Sequence, residues 1–151
     1  MKKLEYRPYL YGAYGSNLHE KQMLARCPMA VKVGDIMLHD YKLIFRGVAD
    51  IVPSEGGDNM VPIGLWQITE FCEAALDRYE GFPHLYDKHF IPCQNKAGSF
   101  DLMVYRMVNT SVIYPPSEWY LQSLITGYQD FCFDNYFLKD AVTSSYLEET
   151  A

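Results

Sequence analysis

The sequence has little positive charge. Its 13 Lys and Arg stand against 19 Asp and Glu, a formal charge of −6 over 151 residues. It therefore lacks the basic footprint that phosphate backbones require, which argues against a nucleic-acid partner. The four cysteines, Cys27, Cys72, Cys93 and Cys132, form no C-x-x-C pair and no Cys/His cluster at zinc-site spacing. They read as reduced, mostly buried thiols, and no metal or cofactor is expected. No apolar run approaches the roughly 18 to 20 residues of a membrane span. The best candidate, Met60 to Ile68, is broken by Pro62, Gly64 and Gln67. Met1-Lys2-Lys3 leads into Glu5, Arg7 and Pro8 instead of the apolar core of a signal peptide, so a soluble, cytoplasmic protein with no membrane partner is expected. A G-x-S-x-G elbow, a dinucleotide-binding glycine pattern, internal repeats and long linkers are missing too. One domain over residues 1–151 is the expectation.

What is present suits a packed core: 49% hydrophobic and 15% aromatic residues against 21% charged. Tyr-rich Pro8 to Tyr14 reads as a strand running into the loop Gly15-Ser16-Asn17. A helix follows, with Asn17 as N-cap, Glu20 three residues on, and Arg26-Cys27-Pro28 as its end. Val31 to Phe45 suggests two strands or one bent strand. Ala49 to Val52 and Pro62 to Ile68 read as strands joined by the glycine-bearing loop Ser54 to Asn59, a hairpin. Thr69 caps a helix whose stripe is Phe71, Cys72, Ala75, Leu76 and Tyr79, ended by Gly81 and Pro83. Tyr86 to Cys93 and Ser99 to Val108 form a second hairpin. Ser117 opens a helix whose stripe is Leu121, Leu124, Ile125, Tyr128, Phe131 and Cys132, and Asn135 to Glu148 is another. Strands early and helices late make an α+β arrangement.

Two features carry chemistry. Between a strand and a helix, successive N–H groups of Tyr14-Gly15-Ser16-Asn17 form an anion-binding nest, or simply a tight turn with an N-cap. Glu80 stands in the last turn of a helix, where an acid typically loses about 0.3 to 1 kcal/mol relative to a base. It is either a surface glutamate at a frayed end or, if half buried near Phe82 and Tyr86, a carboxylate of raised pKa suited to general acid/base work. His84 and His89 share neither a strand face nor a helix face, so they make no metal pair. Asp50 interrupts an apolar strand, where alternation exposes such a residue.

In order and spacing these pieces resemble the γ-glutamylcyclotransferase-like (AIG2-like) family. The resemblance runs from about Tyr9 to about Asp134. It rests on Tyr14-Gly15-Ser16-Asn17-Leu18, Arg26-Cys27-Pro28, Leu43-Ile44-Phe45 before Ala49-Asp50-Ile51-Val52-Pro53, and Gly64-Leu65-Trp66-Gln67-Ile68. It continues through Leu76-Asp77-Arg78-Tyr79-Glu80-Gly81 with Tyr86 beyond, and Pro116-Ser117-Glu118-Trp119-Tyr120 with Gly127-Tyr128. It implies a small mixed β-barrel flanked by helices and an enzyme that cyclises a γ-glutamyl compound to 5-oxoproline, releasing the amine. It assigns Glu80 as the catalytic acid/base, the Tyr14 to Leu18 loop as substrate cradle, and Tyr86 and Tyr120 as pocket-lining residues. The implied partner is a small γ-glutamyl amino acid or γ-glutamylamine, with no cofactor. The competing expectation is a catalytically silent binding or interaction module of the same fold.

Overall fold

The computed structural model describes residues 5–149. Along the chain come β1 (Leu10–Ala13), a 3₁₀ turn (Ser16–Leu18), α1 (Glu20–Arg26), β2 (Val31–His39), β3 (Tyr41–Arg46) and β4 (Val48–Pro53). There follow β5 (Met60–Gln67), α2 (Glu70–Glu80), β6 (Tyr86–Asn95), β7 (Gly98–Met107), α3 (Glu118–Asp130) and α4 (Tyr136–Leu147). Five strands form one sheet in the order β2-β5-β1-β7-β6, antiparallel except where β1 runs parallel to β7, and β3 and β4 pair apart from it. This is an α+β fold with a mixed sheet. Among the described residues the larger ladder ends on β2 and β6 and does not close by strand pairing.

The strands sit where their burial demands. β5 is buried at each position from Val61 to Trp66, as a strand covered on both faces must be, and it lies between β2 and β1. β6 is more exposed and holds Pro92, which an edge strand tolerates because one side of it needs no ladder donor. The helices cover the rest: α3 packs on the 3₁₀ turn, α4 on β3, and α1 on α2. No helix of the described residues is long and apolar enough to cross a membrane.

Four expectations are corrected. The strands around Ala49 and Pro62 do not form a hairpin: β4 pairs with β3 from Arg46↔Val48 to Tyr41↔Pro53, while β5 pairs with β2 and β1. Asn17 does not cap α1. A 3₁₀ turn intervenes, and the His19 Nδ1 accepts from the Gln22 N–H at 3.3 Å instead. Asp50 is not exposed; at 1% exposure it binds Arg46 Nε at 2.9 Å and accepts the Met107 N–H at 2.9 Å, tying β4 to β7. Of the four cysteines, Cys27 and Cys72 are buried and Cys93 partly so, but Cys132 is exposed in the turn after α3.

Candidate active site

β1 delivers the chain into the cradle loop. The turn closes by Leu18 N–H to Gly15 O at 3.0 Å and His19 N–H to Ser16 O at 3.1 Å, so the N–H groups of Gly15, Ser16 and Asn17 precede the first closed bond. None of the three has a protein acceptor among the described residues. What seats the turn is Gly127 of α3, where an added Cβ would lie 2.6 Å from Leu18 Cβ and 2.8 Å from His19 N. Only a glycine lets the helix approach this closely. Leu18 is itself fully buried beneath the turn and does not line the cavity.

Glu80 comes from the other side. α2 begins as expected, with Thr69 Oγ1 accepting the Cys72 N–H at 3.2 Å. It ends at Gly81, whose φ of 64° is left-handed backbone, and the Phe82 N–H turns back to Asp77 O at 2.9 Å. This glycine cap closes the helix end that would otherwise fray, and it holds Glu80 toward the cradle.

The two parts meet at a cavity of about 270 Å³. Its wall includes Tyr14, Gly15, Ser16 and Asn17 from the loop, with Glu80, Tyr86 and Tyr120 around them. Of the residues singled out in the sequence, all but Leu18 line it. Tyr11, Tyr79 and Tyr105 line it as well and were missed, because a tyrosine on a strand or helix stripe reads as core. Two of the tyrosines grip β4 at one residue: the Tyr120 hydroxyl accepts the Ala49 N–H at 3.0 Å, and the Tyr86 hydroxyl donates to the Ala49 carbonyl at 2.8 Å. Tyr14 donates to the Tyr105 carbonyl, and Ser16 Oγ and Tyr79 OH share a bond of 2.8 Å.

Among the described residues Glu80 is the one charged side chain on this lining. Its carboxylate has no hydrogen bond or ion pair to a described residue, so burial is uncompensated and pushes its pKa from 4.5 up to about 7, against a lowering pull from Arg26. Burial, and then the nearby Glu80 carboxylate among other groups, also raises Tyr11, Tyr14, Tyr86 and Tyr120, so near neutral pH their hydroxyls stay protonated donors. A half-buried acid that exchanges its proton near neutrality thus shares the cavity with protonated tyrosines, of which Tyr14 and Tyr86 already donate to backbone carbonyls. Among the described residues no group of three His, Cys, Asp or Glu is arranged to hold a metal ion.

A family model described as gamma-glutamyl cyclotransferase, AIG2-like, matches residues 11–122, a span that contains the cradle, Glu80, Tyr86 and Tyr120. The chain belongs to this family. Solved structures agree on the fold of this gamma-glutamyl cyclotransferase family member. One titled gamma-glutamyl cyclotransferase is 23% identical with a TM-score of 0.72, covering 88% of this chain and 85% of its own. An uncharacterised Homo sapiens protein is 24% identical with a TM-score of 0.70, covering 95% and 89% respectively. An AIG2-like protein from Mus musculus is 16% identical with a TM-score of 0.56, covering 75% and 82%. At these identities the likeness carries the architecture and leaves the chemistry to this chain's own residues. No curated protein sequence matches the chain.

Proposed function

We propose that this family member cyclises a γ-glutamyl amino acid or γ-glutamylamine to 5-oxoproline, with Glu80 as general acid/base and the Gly15 to Asn17 N–H groups as the oxyanion and substrate cradle. The observation that carries this reading is the opposition, across one cavity, of an unpaired glutamate with a pKa near 7 and backbone N–H groups that lack acceptors. The substrate holds nucleophile and electrophile in one molecule, so the protein must chiefly fix the folded conformer and manage one proton. The α-amine, whose conjugate acid has a pKa of about 8, reacts as the neutral free base: its nitrogen bonds to the γ-carbonyl carbon while the Glu80 carboxylate takes one of its two protons. The carbonyl oxygen becomes an oxyanion held by the cradle. When the bond from carbon to the leaving nitrogen breaks, Glu80 returns its proton to that nitrogen. The two pKa values are close enough for the proton to move both ways within one turnover.

The test is N-acetylation of the substrate's α-amine in oxygen-18 water. Acetylation removes the nucleophile and leaves the scissile amide intact, so turnover stops. With the unblocked substrate, 5-oxoproline appears without label. Labelled glutamate would replace cyclisation by hydrolysis, and binding without turnover of any γ-glutamyl compound would identify the silent binding module instead.

A further inference from the structure

Most hydroxyl protons around the cavity are already spent. Tyr86 donates to Ala49, Tyr14 to the Tyr105 carbonyl, and Tyr105 to Asp77 at 2.7 Å. Tyr11 differs. It is 3% exposed, lines the cavity, and its hydroxyl oxygen accepts from Asn17 Nδ2 at 2.9 Å, while no described residue accepts its proton.

The direction of that bond follows from chemistry. A carboxamide can present either its oxygen or its nitrogen to a neighbour, and a phenol can accept or donate. A guanidinium can only donate. Arg26 Nη1 lies 2.6 Å from Asn17 Oδ1, so the Asn17 oxygen must face Arg26 and its nitrogen must face Tyr11. Arg26 is held in turn by its stack on the Tyr79 ring, 3.7 Å from the centroid, and by Gln22 Oε1 at 3.4 Å. With its oxygen occupied by an N–H donor, the Tyr11 hydroxyl has only its proton left to offer, and it offers it to the cavity. Each donor in such a chain polarises the next, which strengthens the last one.

We propose that Tyr11 is a further catalytic residue, a hydroxyl donor to the oxyanion of the cyclisation, and that Arg26 and Asn17 are positioning residues that set the direction of its proton. This deepens the cyclotransferase reading and rests on it for the reaction; the chain of bonds itself does not. The assignment also gives Arg26-Cys27-Pro28 a use beyond ending α1. The titratable groups facing Tyr11 are Glu80 and Tyr79 of α2, Cys27 after α1, Tyr86 of β6 and Tyr105 of β7, whose ring meets it edge-on at 5.9 Å between centroids.

The experiment has two arms. In the kinetic arm, Tyr11→Phe lowers kcat by about 100-fold to 1,000-fold, the range for one oxyanion donor, with KM little changed. Because the Arg26 charge also lowers the Glu80 pKa, each variant is compared at its own pH optimum; there Arg26→Met lowers kcat less, and the double variant is no slower than Tyr11→Phe, since the remaining effect of Arg26 runs through Tyr11. In the second arm, which needs no substrate, the Asn17 side-chain amide is followed by nitrogen-15 NMR. One of its protons is downfield and exchange-protected in the natural protein, and loses both properties in Tyr11→Phe and in Arg26→Met. Arg26→Lys, which keeps a donor, restores them in part. A folded Tyr11→Phe with unchanged kcat, or losses that multiply in the double variant, overturns the catalytic role. An Asn17 signal unmoved by Tyr11→Phe overturns the relay. If no γ-glutamyl compound turns over while the Asn17 signal behaves as stated, the reaction assignment fails and takes the catalytic role with it, while the relay stands.

Discussion

Replacing Glu80 by Gln is expected to make the protein more stable above neutral pH. Folding moves this carboxyl from its ordinary 4.5 to about 7, chiefly by burial. Between those values the folded chain holds a proton that the unfolded chain has released, so stability falls as pH rises through this window and levels off above it. At about 1.36 kcal/mol per pH unit the cost at pH 8 is about 3 kcal/mol. Glutamine keeps the shape and never ionises, so the variant escapes that cost. Urea unfolding at a series of pH values reads it directly: the two proteins coincide near pH 4, and at pH 8 the variant's midpoint lies roughly 1 to 2 M higher. Loss of turnover in the same variant, about 100-fold to 10,000-fold for an acid/base, completes the picture of a site kept at the expense of stability. Equal stability of the two proteins at pH 8 would mean that Glu80 reaches water or a partner freely, and the argument for its raised pKa would collapse.

Gly127→Ala pushes a methyl group against Leu18 and His19 N. It should destabilise by about 1 to 3 kcal/mol and reduce kcat/KM beyond what melting explains, since the turn it displaces carries the cradle; unchanged melting and turnover would count against that seating. Gly81→Ala must adopt a φ of 64° with its Cβ 2.9 Å from a Leu85 methyl, a loss of about 1 to 2 kcal/mol measurable by chemical unfolding. Lys88→Met removes the cation 2.6 Å from Glu73 Oε2 and 3.0 Å from Asp77 Oδ1, which should cost about 1 to 3 kcal/mol. Burial alone would raise the Glu73 pKa, but bonds from Lys88 and Tyr9 and the charges of Lys88 and Arg7 lower it overall. The stabilisation is therefore present above the ordinary carboxylate pKa and lost as pH falls through the folded value, so the deficit of Lys88→Met should shrink in acid.

Local signals served the sequence reading well where the physics is local. Thr69 and Ser117 cap α2 and α3 through their own hydroxyls, and the hairpin read from Tyr86 to Val108 is there as β6 paired with β7. The hairpin drawn from Ala49 to Ile68 failed because strand choice is not local. A glycine loop permits a hairpin, but the pairing of β2 with β5, from Val31↔Gln67 to His39↔Met60, takes β5 into the main sheet. Asn17 was misplaced as a cap because its side chain already serves Arg26 and Tyr11, partners that only folding brings near. Asp50 was read as exposed because alternation describes one sheet face and says nothing of Arg46 and Met107 waiting on the other side. The cradle loop and Glu80 were singled out locally, each beside a bland alternative, and only the order of the family's motifs favoured the functional reading. By themselves they look like a turn and a frayed helix end. Tyr11 carried no signal, since its role lies in the direction of one hydrogen bond.

The uncompensated burial of Glu80 raises the question of what opposes it. Near the carboxylate only the charge of Arg26 does, and in part, for Glu80 has neither a hydrogen bond nor an ion pair to a described residue. The opposition lies one and two turns back along α2, where Asp77 accepts from Tyr105 and Lys88, and Glu73 binds Lys88, Arg7 and Tyr9. These bonds fasten the helix to β6, β7 and the segment before β1 without reaching its last turn. Such an arrangement separates two demands that conflict when they fall on one residue. A carboxylate paired at Glu80 itself would be stable but too acidic to return a proton, whereas an unpaired one on a loosely held helix would swing into water and lose its raised pKa. Anchoring at Glu73 and Asp77 leaves Glu80 unpaired and still in place, which is the condition that the proposed two-way proton transfer would impose on a single residue.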